Sequence, residues 1–286
     1  MLHSGAGRRT GGVRWGTDNI ACVHVTTPRL TIHAETAGEG EPLVLLHSLA
    51  MDGRMWLPLM ERLGSRFRCW ALDARGHGRT SWDGQPFTVT DLADDLRCAL
   101  DALELQRPHV LGLSMGGSTA LTFAGRHPDR VNGLVLADTT AWYGPEAPAQ
   151  WEQRAQAALT RSRADLIGFQ LERWFTGDFR SAEPGEVERI TSIFLGCDGR
   201  AHAAACRALG GMDSRPLLPA IRARTMVLAG EEDYATPPAM ARDIAAAVPA
   251  ASLLLVPAVR HMSLIEKPGL ADEITAHLTA GPVAAP

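Results

Sequence analysis

A series of short, nearly continuous apolar runs is the feature of this sequence that most constrains its fold. The runs fall at residues 43–46, 69–72, 110–113, 134–137, 226–229 and 253–256. Because apolar and polar residues do not alternate in them, they are typical of strands that are buried on both faces of a parallel sheet. Helical patterns separate the runs, as at Leu92, Leu96, Leu100 and Leu103, which share one helix face. This alternation predicts an α/β fold with a mostly parallel, doubly wound sheet.

The N-terminal part of the chain follows a different pattern. Residues of roughly 21–25 and 30–35 alternate between apolar and polar types, which predicts an antiparallel hairpin at one edge of the sheet. Residues 1–20 show neither a strand nor a helix pattern, and we expect them to be disordered.

A long helical stretch interrupts the strand-helix alternation. Residues 139–215 contain no buried-strand run, and positions such as Trp151 and Ala155 are spaced as on one helix face. The sequence therefore predicts a helical lid, inserted into an α/β core that consists of residues 21–138 and 216–279.

Composition limits the classes of partner. The chain has 286 residues, of which 45% are hydrophobic and 21% are charged, as in an ordinary globular protein. Its net charge of -4, without charge blocks, argues against binding to nucleic acid or to an anionic membrane. No apolar run approaches the roughly eighteen residues that a membrane helix needs. We expect a cytoplasmic protein whose partner is a small molecule, and the oligomeric state stays open.

The cysteines suggest no metal or disulfide framework. The five cysteines are widely spaced and form no C-x-x-C pair. No metal and no cofactor are therefore expected.

The string Gly112-Leu113-Ser114-Met115-Gly116 matches the pattern G-x-S-x-G. The match alone is weak, but this one follows a strand run at 109–113 and opens a helix predicted over 115–126. A serine on a sharp strand-to-helix turn has a strained backbone, and glycines two positions away let the two elements approach closely. Ser114 is therefore the predicted nucleophile.

Two further residues follow Ser114 in the order that a serine hydrolase of this architecture requires. Asp233 stands just after the strand run at 225–229, and His261 stands five residues beyond the run at 252–256. A histidine can take the serine proton near neutral pH, and a carboxylate fixes the histidine tautomer. Asp233 and His261 are the predicted acid and base.

Rivals remain for both roles. His77 also follows a strand end, although it precedes the serine, and Asp138, Glu231 and Glu232 are alternative acids. For the oxyanion hole, the pattern favours the backbone amides of Met115 and Leu49. His47 and Ser48, in the same loop as Leu49, are more typical of a turn-stabilising role.

The chain resembles the α/β-hydrolase family over about residues 28–278. The strings that carry the resemblance are Leu46 to Trp56, Asp73-Ala74-Arg75-Gly76-His77-Gly78, Gly112 to Gly117, Arg173-Trp174-Phe175-Thr176, and Ala229 to Pro238. Within that family they are most similar to the 3-oxoadipate enol-lactonases. Those enzymes usually carry Asn-Ser-Leu-Gly at the oxyanion loop, whereas this chain has His47-Ser48-Leu49-Ala50, which is closer to ordinary esterases.

The resemblance implies hydrolysis of an enol-lactone that bears a carboxylate, through an acyl-enzyme on Ser114. A general carboxylesterase, a carbon-carbon bond hydrolase of aromatic ring-cleavage products and a non-catalytic receptor remain alternatives. A carboxylate substrate needs a cation, for which Arg173 is the leading candidate and Arg54 the second. Trp142 and Trp174 are the aromatic candidates for the pocket wall.

Overall fold

The computed structural model describes residues 20–280. It contains one sheet of eight strands. The strands are β1 (Ala21–Thr26), β2 (Thr31–Ala37), β3 (Glu41–Leu46), β4 (Phe67–Leu72), β5 (His109–Leu113), β6 (Gly133–Ala137), β7 (Arg224–Gly230) and β8 (Ser252–Val256). The expectation of disorder over residues 1–20 lies, apart from Ile20, outside the described residues.

The strand order is β1-β2-β4-β3-β5-β6-β7-β8, and all pairs from β4 to β8 are parallel. The predicted mostly parallel, doubly wound sheet is therefore confirmed. The edge hairpin is antiparallel, as predicted, although its second strand extends to Ala37 because β2 also pairs in antiparallel fashion with β4.

Eleven α-helices lie within the described residues. They are α1 (Leu57–Leu63), α2 (Val89–Ala102), α3 (Met115–Arg126), α4 (Ala147–Thr160), α5 (Arg163–Trp174), α6 (Gly177–Ala182), α7 (Pro184–Leu195), α8 (Gly199–Gly210), α9 (Pro238–Ala247), α10 (Ser263–Glu266) and α11 (Ala271–Thr279).

The central strands are buried on both faces, which explains their continuous apolar runs. Leu43 and Leu45 of β3 belong to one apolar cluster, whereas Val44 and Leu46 belong to another. Successive side chains of a strand point to opposite faces, so each central strand contributes to two cores.

The helices α4 to α8 are inserted between β6 and β7, and we refer to residues 139–215 as the helical insertion. Helices α4 and α8 pack together, and Trp151 of α4 shares an apolar cluster with Cys206 and Leu209 of α8. Where the insertion leaves and rejoins the sheet, Trp142 and Asp213 form an isolated antiparallel bridge. In the part of the chain that the structure describes, no helix is both long and apolar enough to cross a membrane.

Candidate active site

Ser114 lies at the turn between β5 and α3, with backbone angles φ 55° and ψ -114°. These are angles that a non-glycine residue rarely adopts, so the turn is strained. The neighbouring glycines permit it. A Cβ on Gly112 would lie 2.2 Å from the Gly116 carbonyl oxygen, and a Cβ on Gly116 would lie 2.1 Å from the Leu46 carbonyl oxygen. Each glycine of the G-x-S-x-G string is therefore required by backbone contact.

Ser114, His261 and Asp233 form a continuous hydrogen-bonded relay. His261 Nε2 lies 2.9 Å from Ser114 Oγ, and His261 Nδ1 lies 2.8 Å from Asp233 Oδ2. All three residues are buried. The carboxyl ends of β5, β7 and β8 meet at one edge of the parallel sheet, so loops from distant parts of the sequence deliver the three side chains to one place.

Asp233 is held from its other side by the loop that follows it. Its Oδ1 accepts hydrogen bonds from the amides of Ala235 and Thr236, at 2.7 and 3.1 Å, and its Oδ2 accepts one from the Thr236 hydroxyl at 2.7 Å. Burial by itself raises the pKa of Asp233, but the adjacent His261 and these donors outweigh it, so that the pKa lies below its usual value. The carboxylate is therefore ionised and fixed in orientation.

The rival residues are placed elsewhere. Asp138 accepts hydrogen bonds with both oxygens, from the Gly230 amide and from the amide and hydroxyl of Ser263, and no histidine within residues 20–280 is hydrogen-bonded to it. Glu231 and Glu232 are exposed. His77 binds the Arg75 carbonyl through Nδ1, and burial lowers its pKa to about 4. None of these rivals joins the relay.

The two backbone amides predicted for the oxyanion hole lie in different local structures. Met115 is the first residue of α3, and amides in a first helical turn have no partner four residues earlier. Leu49 lies inside the turn that the Met51 amide closes on the Ser48 carbonyl at 3.1 Å. Both amides are thus outside the regular hydrogen bonding of their elements.

His47 holds the Leu49 loop against its neighbour. Its Nε2 accepts a hydrogen bond from the Ala74 amide at 2.9 Å, so its Nδ1 carries the proton and donates to the Ser48 carbonyl at 2.7 Å. Burial lowers the pKa of His47, which keeps this ring neutral. Its contacts are those of a turn-stabilising residue.

A cavity of about 450 Å³ lies above Ser114, and we call it the Ser114 cavity. Ser48, Leu49, Thr236 and His261 line it from the sheet side. The helical insertion provides most of the remaining wall, including Tyr143, Trp151, Arg154, Leu166, Phe169, Arg173, Trp174, Phe194 and His202. The cavity is therefore mixed, with aromatic walls and several cationic groups.

Three arginines line the Ser114 cavity, Arg154, Arg161 and Arg173, against one acidic residue, Asp165. Asp165 already accepts the Ser162 amide at 3.3 Å as part of a helix cap. The cavity therefore carries an excess of positive charge.

Arg173 and Arg154 differ in the contacts that their guanidinium groups make within the protein. Arg173 makes a 3.5 Å contact with the Ala235 carbonyl and lies over the ring of Phe169. Arg154 stacks on the Trp151 ring at 4.7 Å, and no hydrogen bond or ion pair joins its guanidinium to any of the residues 20–280. Burial lowers the pKa of Arg154, but a guanidinium stays charged. Arg154 is thus the lining arginine with the least compensated charge.

Two of the residues predicted for substrate contact lie away from the Ser114 cavity. Arg54 folds back onto Asp52, two residues earlier, with its Nη2 2.7 Å from Oδ2, and it does not line the cavity. Trp142 is covered by the guanidinium of Arg215 at 3.6 Å, at the neck of the helical insertion. Trp174 does line the cavity. The structure therefore does not bring Arg54 and Trp142 to the cavity, because each side chain is in contact with another residue outside it.

Sequence reasoning missed Arg154 and Thr236. A signal existed for Arg154, because it lies three residues after Trp151 and therefore on the same face of α4. The sequence left open whether Tyr143 lines the pocket, and the structure places it in the cavity wall.

The residues on either side of His261 are bonded to the end of α5. The Met262 amide donates to the Trp174 carbonyl at 3.0 Å, and the Arg260 guanidinium donates to the Glu172 carbonyl. The histidine loop and the helical insertion are thus joined directly.

Comparison with known proteins gives a consistent result. A family model described as the alpha/beta hydrolase fold matches residues 41–268. A 3-oxoadipate enol-lactonase of Acinetobacter baylyi is 28% identical over 246 residues, which cover 85% of this chain and 91% of that protein.

Two solved structures are similar over nearly their whole length. The enol-lactonase from Burkholderia xenovorans LB400 has a TM-score of 0.86 and 32% identity, and the match covers 90% of this chain and 100% of that chain. A malate-bound esterase from Thermogutta terrifontis has a TM-score of 0.84 and 28% identity, covering 90% of this chain and 98% of that chain. The resemblance noted from the motifs is thereby confirmed, and the chain belongs to the α/β-hydrolase fold family.

Proposed function

We propose that this α/β hydrolase cleaves a carboxylic ester or lactone through an acyl-enzyme on Ser114. The observation that carries the proposal is the unbroken relay from Asp233 through His261 to Ser114, at the floor of a cavity that can hold a small substrate. A serine hydroxyl alone is a poor nucleophile near neutral pH, and an adjacent oriented base activates it.

The arrangement supports two chemical steps. In the first, Ser114 Oγ attacks the carbonyl carbon while its proton passes to His261 Nε2, and the charge of Asp233 stabilises the imidazolium that forms. The amides of Leu49 and Met115 stabilise the negative charge on the carbonyl oxygen. The leaving oxygen then takes the proton from His261. In the second step, water attacks the acyl group, His261 again takes a proton, and Ser114 is released.

Within this class, we propose an enol-lactone that bears a carboxylate as the substrate, most specifically 3-oxoadipate enol-lactone. The named enol-lactonases among the relatives support this substrate. Ring opening gives an enol that remains attached to the acyl group and relaxes to a ketone, so the leaving group needs little protonation.

The charge of the Ser114 cavity supports an anionic substrate independently of the relatives. Among residues 20–280, no carboxylate pairs with the guanidinium of Arg154, and Arg173 lines the same cavity over the ring of Phe169. A guanidinium binds a carboxylate through two parallel hydrogen bonds, and it does so best where water is partly excluded. We therefore propose Arg154 as the main carboxylate-binding residue, with Arg173 as the second.

A general carboxylesterase is the second candidate. Its support is the string His47-Ser48-Leu49-Ala50 at the oxyanion loop and the similarity to a named esterase. The two candidates share the relay and differ only in what the helical insertion must recognise.

Turnover of the enol-lactone and of a neutral aryl ester of similar size separates these two candidates. We expect a higher kcat/KM on the lactone, with both activities lost in Ser114→Ala. A preference for the neutral ester would favour the carboxylesterase, and activity that survives in folded Ser114→Ala protein would exclude the acyl-enzyme mechanism altogether.

A further inference from the structure

A second cluster of reactive side chains lies on the edge hairpin, away from the Ser114 cavity. Cys22 of β1 pairs with Glu35 of β2, and His24 pairs with His33. Residues two apart on a strand share a face, so the pairs Cys22 and His24, and His33 and Glu35, all lie on one face of the hairpin. The spacing Cys-x-His on one strand and His-x-Glu on the next thus places four potential metal ligands side by side.

Three of these ligands already converge. The ligand atoms of Cys22, His33 and Glu35 all lie within 4.8 Å of one another. Cys22 Sγ is 3.0 Å from Glu35 Oε2, and His33 Nε2 is 3.2 Å from Glu35 Oε1. His24 is exposed beside them, and its ring centre is 5.0 Å from that of His33.

A cation already sits among these ligand atoms. Arg79 Nη1 is 3.4 Å from Cys22 Sγ, 3.1 Å from His33 Nε2 and 3.5 Å from Glu35 Oε1. The Arg79 side chain is about half exposed at 51%, so it can move into solvent when a metal takes its place beside His33 and Glu35. The sulfur, nitrogen and oxygen atoms of Cys22, His33 and Glu35 therefore already surround a positive charge, which a metal ion could replace.

The hydrogen bonding of His33 is unsatisfied in either neutral form. The guanidinium of Arg79 can only donate and the carboxylate of Glu35 can only accept, yet both face Nε2. A protonated Nε2 conflicts with Arg79, and an unprotonated Nε2 conflicts with Glu35. The other ring nitrogen, Nδ1, is buried and has no hydrogen-bond partner among the described residues. A cation bound to both Nε2 and Oε1 would remove the conflict at Nε2.

We propose that Cys22, His33 and Glu35 form a binding site for a divalent transition metal of the zinc class. Sulfur, imidazole nitrogen and carboxylate oxygen together form a ligand set that zinc accepts in tetrahedral geometry. On binding, the Cys22 thiol releases its proton to solvent, the metal displaces Arg79, and His24 or a water molecule supplies the fourth ligand. The metal would cross-link β1 to β2 at the edge of the sheet. This differs from the expectation drawn from cysteine spacing, because that spacing takes no account of strand pairing.

Titration of the full-length protein with Zn²⁺ tests the site, after chelator treatment and with a phosphine as reductant. Calorimetry gives the stoichiometry and affinity, and Co²⁺ gives a thiolate-to-cobalt absorption band that reports sulfur ligation. We expect one metal per chain at this site, at least about tenfold weaker binding in Cys22→Ser, and loss of the cobalt band. Cys197→Ser is the matched control, because it removes a thiol outside the cluster, and its binding should equal that of wild type.

Arg79→Gln should change the Zn²⁺ affinity in the opposite direction to Cys22→Ser. Removal of the competing guanidinium should tighten Zn²⁺ binding, whereas any nonspecific surface site should be unaffected. Cys22 is exposed, so Cys22→Ser is expected to fold. Equal binding by wild type and Cys22→Ser would overturn the proposal, as would the absence of a cobalt band in both wild type and Arg79→Gln. None of these measurements depends on turnover, so the result is independent of the proposed function.

Discussion

Asp138 accepts hydrogen bonds from both the amide and the hydroxyl of Ser263, at 3.0 and 2.5 Å, and so fixes the loop that carries His261. Its other oxygen accepts the Gly230 amide at the end of β7. A buried acid at the end of β6 thus holds the two loops that deliver the acid and the base of the relay, without being part of the relay itself.

We therefore expect Asp233→Asn and Asp138→Asn to have different effects. Asp233→Asn should lower kcat by roughly 10⁴-fold, because an amide favours the wrong tautomer of His261. Asp138→Asn should mainly lower the free energy of unfolding, by about 1–3 kcal/mol, because buried donors lose their acceptor. Ester turnover and urea unfolding of both variants measure the two effects. A catalytically dead Asp138→Asn beside an active Asp233→Asn would reverse our assignment of the acid.

Ser114 should be a site where activity and stability oppose each other. Its φ of 55° is costly for a side chain that has a Cβ and is easy for glycine. Ser114→Gly should abolish turnover and raise the free energy of unfolding by about 1–2 kcal/mol. Ser114→Ala should abolish turnover without this gain, since alanine keeps the Cβ. Equal stability of the two variants in denaturant unfolding would contradict a strained turn.

The arginines of the Ser114 cavity can be ranked by comparing substrates. Arg154→Gln should lower kcat/KM on a carboxylated lactone by roughly ten- to a hundredfold, the equivalent of one charge-assisted contact. A neutral ester of similar size should be affected little. Arg173→Gln should have a smaller effect of the same kind, and Arg54→Gln, outside the cavity, is the matched control. Equal losses on both substrates in Arg154→Gln would indicate a structural role instead.

Replacement of two glycines by alanine should change the stability of the protein in opposite directions. A Cβ at Gly116 would lie 2.1 Å from the Leu46 carbonyl oxygen, so Gly116→Ala should severely destabilise the fold. Gly168 lies inside α5, and a Cβ there meets nothing within 4 Å. Gly168→Ala should therefore stabilise the protein by about 0.4–1 kcal/mol. Thermal unfolding of both variants checks the pair, and a neutral Gly116→Ala would show that the turn can relax.

The sheet and the relay could be predicted from the sequence because both follow from chain order. Continuous apolar runs identify parallel strands, and the carboxyl ends of parallel strands meet at one edge, so residues just beyond β5, β7 and β8 had to converge. The arginines were harder to place. Arg54 follows the oxyanion loop closely in sequence, but its side chain is bound by Asp52, two residues earlier, and only side-chain geometry reveals this.

Trp142 could not be placed from the sequence for a related reason. The residue that covers its ring, Arg215, lies at the far end of the helical insertion, and no local pattern links the two. Arg154 was within reach of pattern analysis, since its spacing from Trp151 fixes a shared helix face. That spacing could not indicate that none of the carboxylates in the described part of the chain pairs with Arg154.

The bonds from Met262 to Trp174 and from Arg260 to Glu172 have a mechanical consequence for substrate entry. If the end of α5 moved outward to admit a substrate, it would pull on the residues on both sides of His261 and disturb the alignment of the base with Ser114. An enzyme opened at the end of α5 would be inactive until it closed again. Helix α4 carries Trp151 and Arg154, and within residues 20–280 no hydrogen bond joins it to the loop of His261. A substrate that enters along α4 would therefore leave the proton relay intact. We expect substrates to enter the cavity from this side.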